Sequence, residues 1–157
     1  MVGTLQLASL ATLFALLAYV IYSDARIRII PNEVNLAIAA LAIPFWIGSG
    51  EALWPLLGWQ VVLALGVFAV FAAIFAMGAM GGGDVKLLAA LALWLPVIPF
   101  LKMLMLMSIV GGVLTLGYLV WHRRARREGQ PEVPYGCAIS VAAIAALGEP
   151  IVKQLLG

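Results

Sequence analysis

Two carboxylates frame the chemistry open to this chain. Asp24 and Asp84 are its only aspartates. Asp24 closes one apolar run in Tyr22-Ser23-Asp24-Ala25-Arg26, and Asp84 opens another in Gly81-Gly82-Gly83-Asp84-Val85-Lys86. Taken singly, each has an ordinary explanation. Asp84 suits the N-terminus of a helix, and Asp24 beside Arg26 and Arg28 suits a solvated charge. Taken together, at helix ends on one side of an apolar protein, they point to a shared site, because ionisable groups at membrane depth are costly and usually functional. Carboxylates a few ångströms apart resist double ionisation and tend to hold one proton between them. The ionised member can take a proton from water as it attacks a peptide carbonyl, while the protonated member donates to the carbonyl oxygen. This chemistry needs no metal, thiolate or imidazole. It fits a chain whose only cysteine is Cys137 and whose only histidine is His122. A lone cysteine excludes an internal disulfide and a multi-cysteine metal site. No cofactor is expected.

The glycines beside Asp84 bear on the same chemistry. Gly81, Gly82 and Gly83 can take backbone angles closed to other residues and let another backbone approach closely. Irregular backbone near membrane depth is tolerated where protein or a water-filled cavity surrounds it. The run is therefore expected to form the unwound floor of a polar cavity, able to bind an extended peptide. Lys86, two positions on, is a candidate to orient substrate, with a snorkelling interfacial lysine as an equal alternative. Glu33 follows Pro31 and Asn32 and suits the positive end of a helix. Structure is its favoured role, but it is also one of few acids on the side of the aspartates and a candidate for substrate contact.

The elements that must position these residues are membrane helices. The chain has 157 residues, of which 65% are hydrophobic and 10% charged. Soluble domains carry about 25% charged residues, and the mean hydropathy here is +1.13. Lipid is the expected solvent. The length fits a single domain over residues 1–157. A net charge of +2 gives no reason to expect a nucleic-acid partner.

A spanning helix needs about 20 apolar residues. Six candidates occur: Gly3–Tyr22, Asn32–Ile47, Leu56–Met77, Val85–Leu95, Phe100–Trp121 and Tyr135–Leu147, the last extending toward Leu156. The first lacks a basic n-region and is longer than a signal-peptide core, so it reads as a retained helix. On an alternating path, Arg26, Arg28, Lys86, Arg123, Arg124, Arg126 and Arg127 fall on one side, and only Lys102 and Lys153 on the other. The basic side is then cytoplasmic and both termini lie outside. The arginine run also suits anionic headgroups. Trp46 and Trp54 flank the Gly48–Glu51 turn as expected interfacial anchors. Gly111, Gly112, Thr115 and Gly117 are small residues suited to close helix packing. The expected fold is all-α and polytopic, with about six transmembrane helices.

At these residues the chain resembles the type IV prepilin peptidases, or leader peptidases. Asp24 is followed by Ile30-Pro31-Asn32. Gly81-Gly82-Gly83-Asp84 matches the family's Gly-x-Gly-Asp signature and continues into Val85-Lys86-Leu87-Leu88. Val133-Pro134-Tyr135-Gly136 is a weaker third match. The resemblance implies a multi-pass endopeptidase of the bacterial inner membrane, with Asp24 and Asp84 as its catalytic pair. Its substrates would be prepilins, cut on the cytoplasmic side between a short basic leader and a hydrophobic helix. The lipid bilayer and the pilus assembly machinery follow as partners. Longer members carry a four-cysteine zinc segment after the first helix and also methylate the new terminus. Here Pro31-Asn32 begins the second helix with no such segment between, so the likeness is to the short branch serving tight-adherence (Flp-type) pili, without zinc.

One rival is a different Gly-x-Gly-Asp enzyme, of the presenilin or archaeal preflagellin type; a rival that is not an enzyme is a small proton-coupled carrier using Asp24 and Asp84 as relay groups. Carriers hold such groups near the bilayer midplane, whereas both acids here fall at helix ends. A nucleotide site is excluded by the lack of a Gly-Lys-Ser/Thr ending to the glycine run.

Overall fold

The computed structural model describes residues 3–50, 52–124 and 134–156, with side chains described for 3–50, 52–120 and 134–149. The described residues form six helices and no strand. They are α1 (Thr4–Ile27), α2 (Asn32–Ser49), α3 (Leu53–Ala76), α4 (Gly82–Ala92), α5 (Val97–Arg124) and α6 (Tyr135–Leu156). Three of them are long and apolar enough to cross a membrane: Thr4–Ile27, Leu53–Ala76 and the Val97–Val120 part of α5. The Arg126–Arg127 half of the arginine run and Glu51 lie outside the described residues. So do the side chains of His122, Arg123, Arg124 and Lys153.

The buried face of α1 can be read from its spacing. Leu10, Leu13, Leu17, Val20 and Asp24 recur every three or four residues, which places them on one helical stripe. The helix runs past Tyr22 through Ser23, Asp24 and Arg26, so Asp24 stands in its last turns rather than beyond its end. Arg28 terminates it in the left-handed conformation (φ 57°), its N–H donating to the Asp24 carbonyl.

Helix α4 is the short central rod, packed against α2, α3 and α6. It starts earlier than its apolar run. Gly81 is the N-cap, in extended conformation, and Gly82 and Gly83 already form the first turn. The expectation of an unwound glycine floor is therefore corrected. The chain reverses instead at Gly78, whose φ of +75° requires glycine. Of the three motif glycines, Gly83 serves close packing. A Cβ on Gly83 would lie 3.2 Å from Ile30, and one on Gly82 would lie 3.4 Å from the Phe75 ring. At its other end, α4 stops at Ala92, ahead of Pro96. The N–H groups of Leu93 and Trp94 donate to Ala90 and Leu91 in a tightened final turn.

Between apolar helices in lipid there is little hydrophobic driving force, so contact packing and interhelical hydrogen bonds hold the bundle. Two tryptophans provide such bonds. Trp94, fully buried, donates Nε1–H to the Ile38 carbonyl at 2.9 Å, and Trp46 donates to Leu93 at 2.7 Å. Phe45 packs on both indole rings. These contacts pin α2 to α4. Trp46 is thus a buried hydrogen-bonding residue and not an interfacial anchor, whereas Trp54 is 79% exposed. On α5, Gly111 lies against α6, beside Ala138 and Tyr135. Gly112 and Gly117 face open space.

Candidate active site

The site forms where α1 ends and α2, α4 and α6 begin. Three helix N-termini, each a source of partial positive charge, converge there with one C-terminus. Both aspartates lie at this end of the bundle, and both are buried.

Asp24 is held from α6. Its Oδ2 accepts the backbone N–H of Cys137 at 3.0 Å. Cys137 is the third residue of its helix, so that N–H has no partner within α6. The pairing satisfies a buried carboxylate oxygen and a buried amide together. It also sets the positive end of α6 against a carboxylate that the negative end of α1 disfavours. Gly136 makes the approach possible. A Cβ there would lie 2.9 Å from Asp24 Oδ2 and 2.8 Å from Ile30 Cδ1, closer than a carbon tolerates.

Asp84 is held within its own helix turn. It is the third residue of α4, and its carboxylate accepts the Gly81 backbone N–H. This is the returning half of a capping box, with a carboxylate at the third helical position satisfying the N-cap amide. Asp84 precedes the apolar run of α4. Its pKa is pushed up to about 7, first by burial and next by the charge of Asp24, with the Gly81 hydrogen bond pulling the other way. The carboxylates are therefore close enough to sense one another. Ile30, on the α1–α2 connection, lies against both Gly83 and Gly136, the neighbours of the two acids.

The surrounding polar contacts fix this end of the bundle. Ser23 Oγ donates to the Ile29 carbonyl at 2.6 Å, so it ties down the connection and does not serve Asp24 as a neighbouring donor. Asn35 Nδ2 donates to the Gly83 carbonyl at 3.3 Å. Lys86 Nζ donates to Asn32 Oδ1 at 2.7 Å, on the exposed surface. Glu33 is exposed in the first turn of α2. Arg26 stacks over Tyr22 at 5.5 Å, and Arg28 over Tyr118 at 5.0 Å.

Of the residues singled out from sequence, Asp24, Asp84 and the Gly81–Gly83 run come together. Lys86 and Glu33 stand at the same end but on the outside. Gly136, Asn35 and the Cys137 amide take part in the site without having been assigned to it. Asn35 carried a signal, being a polar side chain three residues after Asn32 in an otherwise apolar helix. The Cys137 contribution comes from its backbone, which no side-chain pattern reveals. Among the described residues, no cluster of three or more His, Cys, Asp or Glu side chains is arranged to hold a metal ion.

A pair of buried carboxyls, one of them poised near neutrality, can divide the roles of proton donor and acceptor. The family model of the type IV leader peptidase family matches residues 11–116, about two thirds of the chain, with both aspartates and the glycine run inside the matched stretch. No curated protein and no solved structure matches.

Proposed function

The chain belongs to the type IV leader peptidase family, a family of proteases, and we propose that it is a membrane aspartic endopeptidase that removes the leader from prepilins. The observation that carries the reading is the pairing of Asp24 and Asp84 at one end of the bundle, where burial first and the charge of Asp24 second raise the Asp84 pKa to about 7. At neutral pH, Asp24 is the general base toward water. Asp84, which retains a proton, is the acid toward the scissile carbonyl. As the tetrahedral intermediate collapses, Asp24 passes the proton it took from water to the departing amine, and Asp84 recovers a proton from a hydroxyl of the intermediate, which restores the starting pair. A water bridging the two carboxyls is the nucleophile. General acid–base catalysis of this kind is worth about 10²–10⁴-fold.

The apolar runs of the six helices lie in the membrane, the short fourth one beginning at Val85, after Asp84. The site end is cytoplasmic, in keeping with Arg26, Arg28 and Lys86. The short connection from Asp24 to Asn32 favours the branch acting on Flp-type pilins in the bacterial inner membrane. Glu33, exposed beside the site, receives the basic leader, and Lys86 with the Gly81–Gly83 turn contacts the substrate backbone. The test is reconstitution in liposomes with a prepilin, followed by mass determination of the products. Cleavage at a single bond between leader and apolar helix, with a chelator present, is expected. Intact substrate under all conditions, with protein correctly folded, would sink the proposal.

A further inference from the structure

Helix α3 packs on α4 and scarcely touches α2. This leaves a groove of about 590 Å³ between α2 and α3, floored by α4. Its length is apolar, lined by residues such as Leu36, Ala64, Leu65 and Phe68, while Asn32, Asn35 and Lys86 line it where α2 and α4 begin. That end adjoins the candidate active site, because Asn35 donates to the carbonyl of Gly83, the residue before Asp84.

Asn35 carries the argument. It is 5% exposed, and its Oδ1 has no hydrogen-bond partner. Lys86 already satisfies Asn32, so Asn35 is the acceptor left over. A buried acceptor without a partner is costly, because burial strips it of water and nothing in the protein replaces the lost bond. The matching deficit belongs to the N-terminus of a helix, whose first four N–H groups have no partner within the helix. A lipid acyl chain fills the apolar length but offers Asn35 no donor.

We propose that this groove docks the apolar helix of the substrate, with the first turn of that helix against Asn35. The docking rests on the peptidase reading and adds to it a means of register. A helix seated there delivers the backbone that precedes it to Asp84 and Asp24, so the bond cut is set by its distance from the start of the helix. Continuity between the groove and the site, and the pairing of one orphan acceptor with orphan donors, favour this occupant over lipid or a second copy of the chain.

The test compares two substrates in proteoliposomes: a prepilin with its helix, and a short peptide spanning the cleaved bond without it. Ala64→Trp fills the groove and is expected to lower kcat/KM for the long substrate at least tenfold relative to the short one. Leu116→Trp, on the exposed face of α5, leaves that ratio unchanged. A photoreactive residue at Leu65 in the otherwise wild-type protein is expected to crosslink to the substrate helix, and it decides the matter should Ala64→Trp fail to fold. A ratio unmoved by Ala64→Trp, or a Leu65 probe that captures only phospholipid or a second copy of the chain, overturns the docking alone. Wild-type protein that cleaves neither substrate overturns the peptidase reading, and the docking with it.

Discussion

The backbone N–H of Cys137 reaches across 113 residues of sequence to the carboxylate of Asp24. One buried hydrogen bond thereby joins the end of the first helix to the start of the last. It explains how a carboxylate persists at the unfavourable end of α1: the amide and dipole of α6 compensate it. It also makes the geometry of Asp24 depend on a residue that bears no functional group, Gly136.

Gly136→Ala is therefore predicted to damage the site from outside it. The added methyl would lie 2.9 Å from Asp24 Oδ2 and 2.8 Å from Ile30, so one of them must move. Overpacking of this kind costs about 1–3 kcal/mol. Leader cleavage is expected to fall more than tenfold. Gly117→Ala, at a position with open space around it, is the control. Equal activity of the two variants would show that Asp24 is not held in the way described.

Protonation of Asp84 offers a spectroscopic check. Its pKa is raised to about 7 by burial and then by Asp24. A protonated-carboxyl stretch in infrared difference spectra should titrate near neutrality and vanish in Asp84→Asn. In Asp24→Asn the titration should move to lower pH, since one cause of the upward shift is gone. The sign for stability follows from linkage. Between the ordinary carboxylate range and about pH 7, the native state holds a proton that the unfolded chain has released, so this group's contribution to stability falls as pH rises through that window. Cleavage should likewise decline above pH 7. A titration that stays in place after Asp24→Asn would mean that the carboxylates do not interact.

The two aspartates were legible in the sequence because acids are so scarce in it. The helical architecture was legible because apolar runs between prolines, glycines and arginines leave few other readings. The role of the glycines was not. A Gly-Gly-Gly run announces freedom from a Cβ, but not whether that freedom serves an unusual φ or a close neighbour. Here Gly83 accommodates Ile30, which is 53 positions away, and the unusual φ belongs to Gly78. Trp46 misled for the same reason. Tryptophan beside a turn fits the membrane interface, and only the tertiary position of the Leu93 carbonyl draws it inward. Gly136 and Asn35 acquire meaning through partners 112 and 48 positions away, which no local pattern encodes.

Trp94→Phe tests what pins α2 to α4. It removes the fully buried indole N–H and leaves the Ile38 carbonyl without its partner. Unfolding in mild detergent should show a loss of about 1–3 kcal/mol. Trp59→Phe, at an exposed indole, should change stability by less than about 0.5 kcal/mol. Equal effects would place the stability of the bundle elsewhere.

The most direct measurement is leader cleavage by wild type, Asp24→Asn and Asp84→Asn, co-expressed with a candidate prepilin, with the amount of each protein in the membrane determined in parallel. Each substitution keeps size and shape while removing one titrating group, and each is predicted to reduce cleavage at least about 100-fold with the protein still accumulating to wild-type level. Normal cleavage by either variant would mean that its carboxylate is structural, and would contradict the two-aspartate mechanism.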